Sequence, residues 1–130
     1  MENGEQAERW AFVCEASSCL YQGAAQTRES LVRAVAEQGD ARVHVVRTGC
    51  LGLCGAGPAV VTYPAADVLL RVQPADTPHL AVALAGGTAV GPRAVRAPQW
   101  YRDRITSRLG YVIQLLRRRW AAQRTEAGSG

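Results

Sequence analysis

Apolar residues in this chain fall in short runs whose spacing changes from strand-like to helix-like and back. Trp10-Ala-Phe-Val13 is a brief apolar run leading directly into Cys14, the pattern of a short buried strand. From Thr27 to Gln38, Leu31, Val32, Val35 and Ala36 recur at helical spacing, and Gly39-Asp40 provides a stop. Residues 41–48 alternate well enough for a second strand, which delivers the chain to the glycine-rich loop Gly49-Cys-Leu-Gly-Leu-Cys-Gly-Ala-Gly-Pro58. Two further apolar runs, Ala59–Tyr63 and Asp67–Val72, flank Pro64-Ala65-Ala66 and predict a β-hairpin. Asp76-Thr77 before Pro78 opens another helix, because either side chain can cap free N–H groups and proline is tolerated in the first turn. Gly86-Gly87 closes it. The predicted order is β-α-β-β-β-α, a small α/β domain over residues 10–90.

What flanks that domain differs from it. Residues 1–9 form an acidic leader, and Gly91-Pro92 and Ala97-Pro98 punctuate a linker over 91–98. Residues 99–124 predict one long basic amphipathic helix, followed by a disordered tail at 125–130. Tyr101, Ile105, Leu109, Val112, Leu116 and Trp120 recur every three or four residues, while Arg102, Arg104, Arg117, Arg118 and Arg119 occupy much of the remainder. Gly110 weakens that helix by about 1 kcal/mol relative to alanine. The formal net charge of +4 conceals a bipolar chain. Residues 1–90 carry six Arg against nine acidic groups, and residues 91–130 carry nine Arg against Asp103 and Glu126. Three readings of the basic helix follow: packing on its own domain with a solvated Arg face, docking on an acidic partner protein, or, least favoured, contact with a membrane surface or nucleic acid. At 130 residues the chain holds one domain with appendages. No run approaches the ~18 consecutive apolar residues of a membrane span. The start shows no apolar segment of a secretory signal, so a cytoplasmic setting with reduced thiols is expected.

The four cysteines carry the chemistry. Cys14 and Cys19 form a C-x4-C pair, thirty residues holding a helix and a strand intervene, and Cys50 and Cys54 form a C-x3-C pair. Both pairs follow predicted strand ends, so four thiolates on adjacent loops can converge. Iron–sulfur clusters and structural zinc both demand such a tetrathiolate site. Zinc most often uses tight C-x2-C knuckles, which neither pair matches, although spacings of two to four residues remain open to it. Neither pair supplies the C-x-x-C of a redox dithiol. Gly49, Gly52, Gly55 and Gly57 would let backbone approach a bulky ligand and aim N–H groups at sulfur. Leu51, Leu53 and Phe12 would help bury it.

Val13-Cys-Glu-Ala-Ser-Ser-Cys19 together with Arg47-Thr-Gly-Cys-Leu-Gly-Leu-Cys-Gly-Ala-Gly-Pro-Ala-Val-Val-Thr-Tyr-Pro64 resembles the thioredoxin-like [2Fe–2S] ferredoxins. That family includes stand-alone ferredoxins, the small cluster-bearing flavoprotein subunit of NADH:quinone oxidoreductase, and relatives in NAD-linked hydrogenases and formate dehydrogenases. The resemblance covers roughly residues 10–90. It implies a thioredoxin-like small mixed sheet with helices, one [2Fe–2S] cluster held by Cys14, Cys19, Cys50 and Cys54, frequent homodimers, and electron exchange with a larger redox enzyme. The respiratory subunit carries a helical region ahead of its first cysteine loop, where this chain has only its leader, and the basic helix lies outside the family pattern. A stand-alone one-electron carrier or accessory redox subunit, not itself an enzyme, is therefore expected. A permanent subunit of a hydrogenase or formate dehydrogenase is the alternative. A zinc- or cluster-stabilised adaptor that binds a partner or nucleic acid through its tail is the rival from another class.

Other residues are expected to be bystanders. His44 and His79 read as ordinary, partly exposed histidines, since four cysteines already complete a shell. Ser17 and Ser18 either bond sulfur or fill a turn. Gly86-Gly-Thr-Ala-Val-Gly91 follows a helix rather than a strand and reads as a turn, not a nucleotide loop.

Overall fold

A computed structural model describes residues 8–15, 22–39, 42–49, 57–86 and 94–129, with side chains through Gln123. The chain divides into two compact units, Met1–Ala97 and Pro98–Gly130. In the first unit, β1 (Arg9–Cys14), α1 (Ala24–Gln38), β2 (Val43–Thr48), β3 (Val60–Tyr63), β4 (Val68–Leu69), a 3-10 turn (Pro74–Asp76), α2 (Thr77–Gly86) and β5 (Ala94–Val95) follow one another. The second unit is the single helix α3 (Gln99–Ser129).

The five strands form one mixed sheet in the order β2-β1-β3-β4-β5. β2 runs parallel to β1, β3 antiparallel to β1, and the remaining neighbours are antiparallel. A parallel β1/β2 pair requires a crossover, and α1 supplies it. Strand β1 is hydrogen-bonded on both sides, and every residue from Trp10 to Cys14 is buried. That explains why Trp10-Ala-Phe-Val13 is a continuous apolar run rather than an alternating one. α1 and α2 pack against each other and against β1. The Arg9 guanidinium donates to the Ala85 carbonyl at 3.1 Å, tying the start of β1 to the end of α2.

Helix α1 begins at Ala24, one turn before the sequence pattern starts it, and its buried face is Ala24, Thr27, Leu31 and Val35. Val32, expected on that face, is exposed. Thr27 can be buried because its hydroxyl donates to the Val72 carbonyl at 2.9 Å, which satisfies both groups. At its C-terminal end the chain turns through Gly39 at φ 75°, whose N–H reaches the carbonyls of Val35 and Ala36. This left-handed cap is the conformation that favours glycine.

The hairpin forms where expected, with Thr62 organising the turn: its hydroxyl accepts from the Asp67 N–H at 3.0 Å, and its carbonyl accepts from the Ala66 N–H. β4 stops at Leu69 instead of continuing to Val72, because Arg71 takes a left-handed φ of 55° and swings the chain back. The Val72 N–H then donates to the Pro58 carbonyl at 2.9 Å, returning to the end of the sheet where β3 starts. Asp76 completes a capping box with Gln73 at the start of the 3-10 turn, accepting from the Gln73 N–H at 2.8 Å, and the Thr77 hydroxyl donates to the Pro74 carbonyl at 2.8 Å.

Two further features differ from the sequence expectation. Ala94–Val95, within the stretch expected as linker, forms the edge strand β5. Both residues are exposed, so no apolar pattern announces them. Helix α3 continues past Arg124 through Ser129. Among the described residues, no helix is long and apolar enough to cross a membrane.

The Thr27–Val72 bond gives a direct test of the packing at this end of the sheet. Thr27→Val leaves the Val72 carbonyl buried without its partner and is expected to cost about 1–3 kcal/mol. Urea denaturation of the two proteins checks it, with a lowered midpoint at unchanged slope as the expected result.

Candidate metal centre

The cysteines are best located from the strand ends that lead to them. In the β1/β2 ladder Cys14 stands opposite Thr48, so the two parallel strands finish side by side at one edge of the sheet. The chain leaves β1 towards Cys19 and leaves β2 towards Cys50 from adjacent points. On the other flank of β1, Val13 pairs with Val60, and the Cys14 N–H donates to the Ala59 carbonyl at 3.0 Å. The connection over residues 49–59 therefore starts on one side of β1 and finishes on the other.

Cys14 is buried, with 1% of its surface exposed, and is not in a disulfide. Strand alternation places its side chain on the same face as Phe12 and Trp10. A soft sulfur donor held inside the protein on a strand anchored on both sides suits a metal or cluster, which needs deprotonated thiolate in fixed position. Cys19, Cys50 and Cys54, with Ser17, Ser18, Leu51, Leu53, Gly52 and Gly55, lie outside the described residues. Among the described residues, no three His, Cys, Asp or Glu side chains gather as a metal site.

The described residues that border the two cysteine segments differ in how they are held. Gly57, Pro58 and Ala59 are all buried at the close of the second segment. At its opening, Gly49 is exposed, and a Cβ there would meet none of the described atoms. The residue after Cys14 is fixed twice. The Glu15 N–H donates to the Thr48 carbonyl at 2.8 Å, continuing the sheet bonding by one residue. The Glu15 carboxylate, only 8% exposed, accepts from the Arg28 guanidinium on the first turns of α1 in an ion pair. This pair links the exit of β1 to the helix that follows the first cysteine segment. Sequence reasoning missed it: Glu15 and Arg28 are thirteen residues apart, and only the crossover brings them together.

The histidines are elsewhere. His44 is in register with Trp10, four residues or about 13 Å along the strands from Cys14. Its ring lies against Trp10 at 4.4 Å between centroids, and its Nε2 is 3.1 Å from the Glu8 carboxylate. His79 is exposed on α2. The structure thus brings neither histidine to Cys14.

A mixed sheet crossed over by α1 and closed by the β3–β4 hairpin and α2 is a thioredoxin-like fold. Solved structures share it: the wild-type thioredoxin-like [2Fe–2S] ferredoxin from Aquifex aeolicus superposes with a TM-score of 0.63 at 24% identity, over 70% of this chain and 99% of that one. A second structure of a thioredoxin-like [2Fe–2S] ferredoxin from the same organism gives 0.63 at 24% identity, over 71% of this chain and 96% of that one. A cysteine-to-serine variant of that ferredoxin gives 0.63 at 23% identity, over 68% and 99%. Neither a protein-family model nor a curated protein sequence matches the chain. The similar ferredoxins are matched over nearly their whole length, while this chain has more than a quarter of its residues to spare.

The Glu15–Arg28 pair sets an expectation for stability. Arg28→Gln leaves a largely buried carboxylate without its counter-ion and is expected to destabilise the protein by about 2 kcal/mol, between the values for exposed and fully buried pairs. Arg28→Lys retains the charge and is expected to recover part of that loss. Chemical denaturation of the three proteins in parallel measures both effects.

Proposed function

We propose that this protein is a one-electron carrier that holds one [2Fe–2S] cluster through Cys14, Cys19, Cys50 and Cys54 and exchanges electrons with a larger redox enzyme. The observation that supports this most is the buried Cys14 thiol at the end of β1, with the start of the Cys50–Cys54 segment beside it in register and the close of that segment bonded to its other flank. The fold adds to this, since the solved structures that share it are [2Fe–2S] ferredoxins. The four-cysteine spacing agrees with the motif of that family.

A cluster of this kind takes up and gives back one electron, and its potential responds to burial and to hydrogen bonds at its sulfurs. The contribution of this chain is positional. Ladder bonds on both sides of β1 fix the Cys14 backbone, and the Glu15–Arg28 pair fixes the residue after it. A rigid ligand set keeps the rearrangement that accompanies electron transfer small. On this reading the protein transforms no substrate, and any dehydrogenase or hydrogenase activity belongs to the partner. The partner is a redox protein met in the cytoplasm, either transiently or as a fixed complex, and a homodimer is the assembly that the family resemblance implies for the carrier.

Metal analysis decides between this and a zinc-stabilised adaptor. Anaerobically purified protein is expected to be brown, with about two irons and two sulfides per chain, and to give an EPR signal after dithionite reduction that is absent before it. Cys14→Ser is expected to lower iron content and shift the visible spectrum. Colourless protein with one zinc per chain, and no iron after reconstitution, would overturn the assignment.

A further inference from the structure

Helix α3 carries a second stripe that the apolar periodicity does not reveal. The buried positions of the helix are Ile105, Leu109 and Ile113, and Tyr101, Val112, Leu116 and Trp120 of the apolar stripe are half-buried. On another side lie Trp100, Arg104, Arg108, Tyr111, Leu115 and Arg118, which are all exposed. Their steps of four, four, three, four and three residues keep them within roughly 80° of arc along the helix. The apolar members are unusually open to solvent: Trp100 is 64% exposed, Tyr111 62% and Leu115 44%. The Arg104 guanidinium lies over the Trp100 ring, 5.9 Å from its centroid. The nearby carboxylate, Asp103, falls off the stripe and accepts from the Gln99 side-chain amide at 2.8 Å.

We propose that this stripe is a docking surface for an acidic protein segment, a helix or groove wall that presents carboxylates between apolar side chains. Two observations select that occupant. Trp, Tyr and Arg are the residue types that most often carry binding energy at protein interfaces. The charge on the stripe is of one sign, so complementarity demands acid opposite it.

A lipid surface fits less well. Helices that lie in the membrane interface separate an apolar face from a basic one, whereas here the arginines alternate with Trp100, Tyr111 and Leu115 on the same face. A nucleic-acid phosphate backbone would use the arginines but leaves Leu115 without a role. The surface belongs to α3 alone and stands whether or not the cysteines hold a cluster.

The test uses the full chain. A photo-crosslinking amino acid is placed at Ser107 or at Gln114, exposed positions beside the stripe, and expressed in the native host. Both positions are expected to crosslink to the same segment of one protein, and sequencing of the crosslinked peptide is expected to show clustered Asp and Glu among apolar residues. That protein, purified, is expected to bind the unmodified chain with an affinity that falls as salt rises. Trp100→Ala/Tyr111→Ala is expected to weaken binding roughly tenfold or more. Arg104→Glu/Arg108→Glu is expected to abolish the salt dependence, with circular dichroism unchanged in both variants. In separate arms, the chain is mixed with a 20-nucleotide duplex DNA and with vesicles of equal parts phosphatidylcholine and phosphatidylglycerol. Loss of DNA or vesicle binding in these same variants, a homodimer that they dissociate, a crosslinked segment that is not acidic, or the absence of any crosslinked protein would each overturn the proposal.

Discussion

The structure depends on the ladder that holds β1 between a parallel neighbour and an antiparallel one. With Cys14 opposite Thr48 and Val13 opposite Val60, a single register decides where three chain segments meet at one end of the sheet. A slip of one residue in either pairing would turn Trp10, Phe12 and Cys14 to the opposite face. The fully buried sequence of β1 makes that slip costly, because each of these side chains would lose its packing. Hydrophobic burial along one strand therefore fixes the position of a sulfur atom at its end.

Around that sulfur the described residues are tied through their backbone carbonyls. Ala59, Thr48, Pro58 and Val72 each contribute a carbonyl to a bond that closes this end of the sheet. Thr27 brings α1 into the same set, and the Glu15–Arg28 pair brings it in again from the other direction. The result is a rim of fixed points from which the two cysteine segments depart and to which the second returns. Such a rim is what a ligand set needs if its members come from different parts of the chain.

Much of this was legible in the sequence because the informative signals were local. The run Trp10–Val13, the glycine stop at Gly39 and the proline-bearing turn after Tyr63 each act over a few residues, and the strands, first helix and hairpin appear where those signals place them. Cys14 sits at a strand end, as the apolar run before it implies. What escaped was whatever depends on partners distant in sequence. Thr27 looks like a solvent-facing residue until Val72 is brought to it, and Val32 looks like core until the buried face is seen to run through Ala24, Thr27, Leu31 and Val35, which leaves Val32 about 100° round from Leu31. Glu15 and Arg28 gave no sign of pairing. β5 is too short and too exposed to have a period, and the second stripe of α3 mixes arginine with aromatics, so a search for purely apolar recurrence passes over it.

The sheet also tapers: β1 and β2 have six residues each, β3 four, and β4 and β5 two. Few ladder bonds hold the narrow side, so its amides are expected to exchange through small local openings, whereas those of β1, paired on both flanks, are expected to need a larger one. The Cys14 sulfur thus hangs from the strand whose exchange is expected to be slowest.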